Sequence, residues 1–200
     1  MAAAQYARCM SHVLARALSI AGHPMLVLPL AAVLLATQRG DHALAWRLAL
    51  GMGAFAAVVM MWSWWQVRRG RWAHVDASHR QERRTLNGAL LAALAIGAAL
   101  SALSGGLPEL TWGLALAAAI IAVALLATRW CTLSLHVAFA IYAAWLLWPL
   151  GAMWTLAALC VAAAIAWSRL RLQRHRPRDL LAGAVVGCAA GLAFLGWATG

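Results

Sequence analysis

The sequence predicts an all-α protein, a polytopic membrane helix bundle of six or seven transmembrane helices, on three observations. Of 200 residues, 65% are apolar and only 10% are charged, where a soluble domain is nearer half apolar and a quarter charged. Apolar runs of roughly the twenty residues a spanning helix needs recur along the whole chain. The stretches between them are too short for a soluble domain, the longest being the nineteen residues Gln66 to Arg84.

In chain order, the first run extends from about Ala17 to Thr37 and the second from Ala43 to Trp65. His23-Pro24 and Pro29 interrupt the first, because proline removes a backbone donor and restricts the residue before it. That run is therefore either a span or a half-buried segment leading into a shorter one, and no cleavage site marks it as a signal peptide. The third run, Leu86 to Leu103, and the fourth, Leu110 to Thr128, share the turn Ser104-Gly105-Gly106-Leu107-Pro108. The fifth, Ser134 to Trp148, and the sixth, Ala152 to Trp167, are short and meet at Trp148-Pro149-Leu150-Gly151. The seventh runs from Leu180 to Trp197, with Gly183, Gly187 and Gly191 every four residues. That spacing puts the glycines on one helix face and predicts close packing against a neighbour. Residues 1–65 read as N-terminal anchor spans and 66–200 as the membrane core.

The charge is lopsided. All sixteen basic residues are Arg, against five acids. A net charge of +11 would suggest nucleic acid in a polar chain, but bulk hydrophobicity excludes that partner here. The arginines belong at membrane ends and near anionic headgroups. Trp62, Trp64, Trp65 and Trp72, beside Arg68 and Arg69, read as an interfacial aromatic belt. Cys9, Cys131, Cys160 and Cys188 stand singly in apolar stretches, as buried thiols do, and not as a disulfide frame or a zinc site.

Two hydrophobic crossings separate the long loop from the start of the fifth span, and two more separate that from the start of the seventh. All three segments therefore fall on one membrane face. The long loop supplies His74, Asp76, His79, Arg80, Glu82, Arg83 and Arg84; the fifth span supplies Ser134 and His136; the last loop supplies Ser168, Arg169, His175 and Asp179 among further arginines. Within this set His136, His175, Asp179, the two serines and the many arginines make a poor metal site but a good phosphate site, since the guanidinium fork matches phosphate oxygens.

The spacing Ser168-Arg169, five residues, His175, three residues, Asp179 resembles the S-R-x5-H-x3-D element of the phosphatidic acid phosphatase type 2 superfamily. That superfamily includes lipid phosphate phosphatases and is related to vanadium haloperoxidases. Leu133-Ser134-Leu135-His136 is similar to its P-S-G-H element, and Asp76, six residues, Arg83, Arg84 stands where the family has K-x6-R-P. The chain departs from the family pattern at Asp76, at Arg84 and at the two leucines flanking Ser134.

The resemblance implies a metal-free phosphatase without cofactor. His175 would attack phosphorus and form a phosphohistidine. Asp179 would accept a hydrogen bond from the other ring nitrogen, and Pro177 would place it in the first turn of the last helix. His136 would protonate the leaving group and then activate water. Arg83, Arg84, Arg169 and Ser134, with Asp76 and Ser168 in the flanking motif positions, would surround the phosphate. The substrate class is a membrane lipid phosphate or diphosphate: a polyprenyl phosphate, phosphatidate or phosphatidylglycerophosphate. Competing readings are an Arg-lined anion transporter and a lipid-phosphate binder without turnover. A homo-oligomer is left open.

Fourteen of the sixteen arginines fall on the motif face, leaving Arg39 and Arg47 opposite. By the positive-inside rule this predicts a multi-pass inner-membrane protein with its site in the cytoplasm. The many relatives that work on the outer or lumenal side make the periplasmic face the alternative.

Overall fold

Helix forms along each of the predicted apolar runs, with a break inside the first, and extends beyond several of them. The computed structural model of the protein describes residues 2–73 and 79–199, and no strand occurs among them. The order is α1 (Ala2–Ala21), α2 (Pro24–Gln38), α3 (His42–Arg68), α4 (Arg80–Leu103), α5 (Pro108–Leu126), α6 (Leu135–Leu146), α7 (Ala152–Arg171) and α8 (Pro177–Thr199). Short 3₁₀ turns follow α5 and α6. Five helices (α3, α4, α5, α7 and α8) are long and apolar enough to cross a membrane. The segment Met10–Ala21 together with α2 would make a sixth, bent by 59°.

That bend is where the predicted first span, 17–37, divides. Pro24 opens α2, and His23 before it is extended, with φ −65° and ψ 135°, the conformation a following proline imposes. His23 then caps α2 by accepting from the Met25 N–H. Gly22 sits so close to α7 that a Cβ there would lie 2.5 Å from the Ile165 side chain. The break thus lets α1 cross the end of α7, while α2 runs beside α6. The N-terminal helices pack directly onto the C-terminal ones.

The other extensions shorten the two polar stretches. The Gln66 to Arg84 stretch reduces to residues 69–79, because α3 continues to Arg68 and α4 begins at Arg80. Ser168, Arg169 and Arg171 lie in the last turn of α7, so the final loop is only Leu172–Arg176.

The 12-residue α6 is the hub. Val137, Ala138, Phe139, Ala140 and Tyr142 are all buried, surrounded by α2, α5, α7 and α8. A helix of that length reaches only about 18 Å, yet its polar backbone is satisfied within the bundle, so it need not face lipid along its length. The Tyr142 hydroxyl donates to the Gly113 carbonyl at 3.2 Å, tying α6 to α5.

The glycine face of α8 packs on α6 as its spacing predicts. A Cβ at Gly183 would lie 2.6 Å from the Ser134 carbonyl oxygen; at Gly187 it would strike the Ala138 carbonyl, and at Gly191 the Trp145 side chain. Backbone cannot step aside as a side chain can. Gly187→Ala is therefore expected to destabilise the protein by about 1–3 kcal/mol. Gly196→Ala, where a Cβ would meet nothing, should leave the melting temperature in detergent unchanged or slightly raised. Equal melting temperatures for the two variants would refute this packing.

Candidate functional site

Three segments distant in sequence meet at one end of the bundle: the start of α4, the approach to α6, and the turn joining α7 to α8. The Arg80 guanidinium donates to the Thr128 carbonyl at 2.9 Å, His175 Nδ1 lies 3.1 Å from the Thr132 carbonyl, and the Ser134 N–H donates to the Asp179 carbonyl at 3.1 Å. The single face inferred from counting crossings is thus a set of direct contacts.

Local chemistry sets each segment. Glu82 is buried; one carboxylate oxygen accepts from the Ala73 N–H at 2.8 Å and the other from the His79 N–H at 3.2 Å. It therefore fixes the start of α4, and with it Arg83, where His79 holds the N-cap position in place of the usual Ser, Thr, Asn or Asp. At the end of α7, the Arg174 N–H donates to the Arg169 carbonyl and the Gln173 N–H to the Leu170 carbonyl. This is a Schellman turn, and its left-handed residue is Gln173, at φ 53°, in place of the usual glycine. It delivers His175 to the mouth two residues before α8. Pro177 begins α8 and Asp179 lies in its first turn, as the sequence predicts.

Asp179 is buried and fully engaged. Oδ1 accepts from the Thr132 N–H at 3.1 Å and Oδ2 from the Arg176 N–H at 3.0 Å, while the Arg178 Nε stands 3.8 Å from Oδ1. The expected hydrogen bond between His175 and Asp179 is replaced by a 4.0 Å approach, because the carboxylate oxygens already serve two backbone donors. His175 Nδ1 instead meets the Thr132 carbonyl. A carbonyl can only accept, so Nδ1 carries the proton and the lone pair resides on Nε2. Asp179 thus acts on His175 through Thr132, holding that residue's N–H while its carbonyl holds the imidazole.

Burial, with the Arg169 guanidinium next in importance, lowers the His175 pKa from 6.5 to about 4, against the opposing pull of the Asp179 carboxylate and the Thr132 hydrogen bond. At neutral pH the ring is uncharged, so its approach to Asp179 is not an ion pair. A cavity of about 400 Å³ opens beside it, lined by Arg83, Arg174, Arg176, Gln173, Thr132 and Asp179 among others. Arg83, Arg174 and Arg176 are exposed, so the cavity is a cationic mouth reached by water.

The other predicted residues divide. His136, in the first turn of α6, is half-buried and within electrostatic reach of Arg169, His23 and His175. Its ring meets the His23 ring edge-on at 5.3 Å. Arg169 is half-buried and donates to the Ser19 hydroxyl at 2.7 Å. Arg84 is exposed and outside the cavity lining, since one further residue turns it about 100° around the helix. Ser134 is fully buried, its hydroxyl without a hydrogen-bond partner, and Ser168 is fully buried with its hydroxyl donating back to the Ile165 carbonyl. Neither serine lines the cavity, and His136 and Arg169 also stand behind its lining. Asp76 and His74 lie outside the described residues.

Thr132, Arg174, Arg176, His23 and Ser19 complete the neighbourhood. Thr132 contributes backbone groups, which no side-chain pattern announces. His23 had a signal: a polar residue before proline inside an apolar run. Of the predicted belt, Trp64 and Trp65 are exposed, with Arg68 and Arg69 stacked over them at 4.5 and 3.8 Å. Trp72 instead turns inward against Trp62.

Comparisons with protein-family models, curated proteins and solved structures give no match for this chain.

A depressed His175 pKa means that its contribution to stability is complete above about pH 6.5 and is lost as pH falls toward 4. Histidine NMR on the labelled protein should show the His175 ring neutral, with the proton on Nδ1, at pH 6. A titration midpoint at or above 6.5 would contradict the environment described.

Proposed function

We propose that this protein is an integral membrane phosphatase that hydrolyses a lipid phosphate or diphosphate through a phosphohistidine on His175. The observation that carries the reading is the His175–Thr132–Asp179 chain, which leaves an uncharged imidazole with its lone pair on Nε2 beside a mouth lined by three arginines. The ordered resemblance to the three motif elements of the phosphatidic acid phosphatase type 2 superfamily supports it independently of the geometry.

In this reading Nε2 attacks phosphorus, the leaving alkoxide takes a proton from His136, and a water activated by His136 then cleaves the phosphorus–nitrogen bond and restores His175. Thr132 keeps the ring in the reactive tautomer and steadies the positive charge that develops on it, with Asp179 behind. Arg83, Arg174 and Arg176 face the phosphoryl oxygens, where charge accumulates in the transition state. Arg174 and Arg176 take the place the sequence alone gave to Arg84 and Ser134. Lipid tails remain in the bilayer while the headgroup enters the mouth, which fits a polyprenyl phosphate, phosphatidate or phosphatidylglycerophosphate.

Phosphate release from a panel of such lipids, measured with EDTA present, tests the proposal. Activity is expected to persist with EDTA and to be blocked by vanadate. His175→Ala should lower it at least about 10³-fold, and His136→Ala by about 10²–10⁴-fold, with helicity and melting temperature kept. Lipid phosphate bound without phosphate release would assign the site to a binder, and flux into sealed vesicles without release would assign it to a transporter.

We further propose, from the excess of arginine on this face and the positive-inside rule, that the mouth opens to the cytoplasm of an inner-membrane protein. A cysteine at the exposed Gln81, in a chain without its native cysteines, should be protected from an impermeant thiol reagent in intact cells, and one at Ser104 labelled. The reverse pattern would put the mouth outside.

A further inference from the structure

The end of the bundle away from His175 holds a second cavity, of about 310 Å³, between α2, α3, α5, α6 and α8. Its walls are apolar, from Leu28 through Leu35 on α2 and from Leu44 through Met52 on α3. Its mouth is not: Arg39, Asp41 and Glu109 gather there. The sequence puts only four formal charges on this face, Arg39, Arg47, Asp41 and Glu109, and three of them line this cavity.

The dimensions are those of one lipid leaflet. From Leu28 to Arg39, and again from Asp41 to Met52, the lining covers eleven residues of rise, roughly 16 Å, about half of a hydrocarbon core of about 30 Å. The lining includes Tyr142, whose hydroxyl is already bound to the Gly113 carbonyl, so it leaves no donor asking for a polar ligand. α3 packs chiefly on α2 and makes no substantial contact with α5, which leaves the cavity a lateral opening toward lipid.

The rim charges carry the headgroup assignment. Among the described residues Arg39 forms no ion pair with Asp41 or Glu109, and Asp41 commits one oxygen to capping α3 through the Leu44 N–H. One guanidinium and two carboxylates carry a net negative charge that repels a purely anionic headgroup, while a purely cationic group would leave Arg39 unmatched. A headgroup with both signs, phosphate and primary ammonium, satisfies Arg39 and the carboxylates together.

We propose that this cavity is a structural lipid site that takes one acyl chain of a phosphoethanolamine phospholipid, with its phosphate on Arg39 and its ammonium on Glu109 and Asp41. The assignment is independent of the chemistry at the other end of the bundle. The full chain, delipidated in detergent and equilibrated with an equimolar mixture of phosphatidylethanolamine, phosphatidylcholine and phosphatidylglycerol, is examined by native mass spectrometry. Phosphatidylethanolamine should exceed phosphatidylglycerol by about fivefold among bound lipids. The double variant Asp41→Asn, Glu109→Gln should abolish that preference; asparagine caps a helix as well as aspartate does, so the fold is kept. Ala36→Phe, which fills the cavity, should lower the bound lipid of every class. Equal retention of the three lipids by the wild type, a preference for phosphatidylglycerol, or a phosphatidylethanolamine preference unchanged in the double variant would overturn the proposal.

Discussion

The fold at the arginine-rich end hangs on the carboxylate of Asp179. It is buried, and it accepts two backbone N–H groups, from Thr132 ahead of α6 and from Arg176 ahead of its own helix, while its own carbonyl receives the Ser134 N–H. Each bond satisfies a donor that would otherwise be stranded at a helix start, and the negative charge lies in the first turn of α8, where the helix dipole favours it. Removing a partner from such a network costs more than the bond itself, because buried donors are left without acceptors. The positions of Thr132, and so of His175, follow from that one side chain.

The glycine face of α8 makes the network reachable. Asp179 can meet residues 132–134 only if α8 approaches α6 within backbone contact, and Gly183 opposite the Ser134 carbonyl permits that at the level of the site. Packing in the middle of the bundle and polar bonding at its end are thus a single arrangement. Small residues let helices close up where no hydrophobic force between them would do so in lipid.

The helices, the glycine stripe, the shared face and the first-turn position of Asp179 could all be read from the sequence, because each depends on length, period or a local proline. What could not be read depends on direction. Spacing brings Ser134 and Ser168 to the right level but does not say that their hydroxyls turn inward, and it cannot say that Arg83 faces the mouth while Arg84 does not. Nor does a motif reveal that a threonine backbone carbonyl stands between histidine and aspartate. The start of α4 was hidden for another reason: its end is fixed by Glu82 reaching back to the Ala73 and His79 amides, with histidine where a hydroxyl or carboxamide would have signalled a cap.

The brevity of α6 has a consequence for how deep water reaches. Twelve residues cover about 18 Å where the hydrocarbon slab measures about 30 Å, so its ends cannot both stand at the water interface of an undeformed membrane. Because α2, α5, α7 and α8 enclose it, α6 meets protein instead of lipid, and the shortfall is taken up inside the bundle without thinning of the bilayer. The extended stretch through Thr132 and Leu133 then lies below the headgroup level, and water that reaches the exposed Thr132 does so within the protein. The depth of that water is set by the same short helix that positions His136.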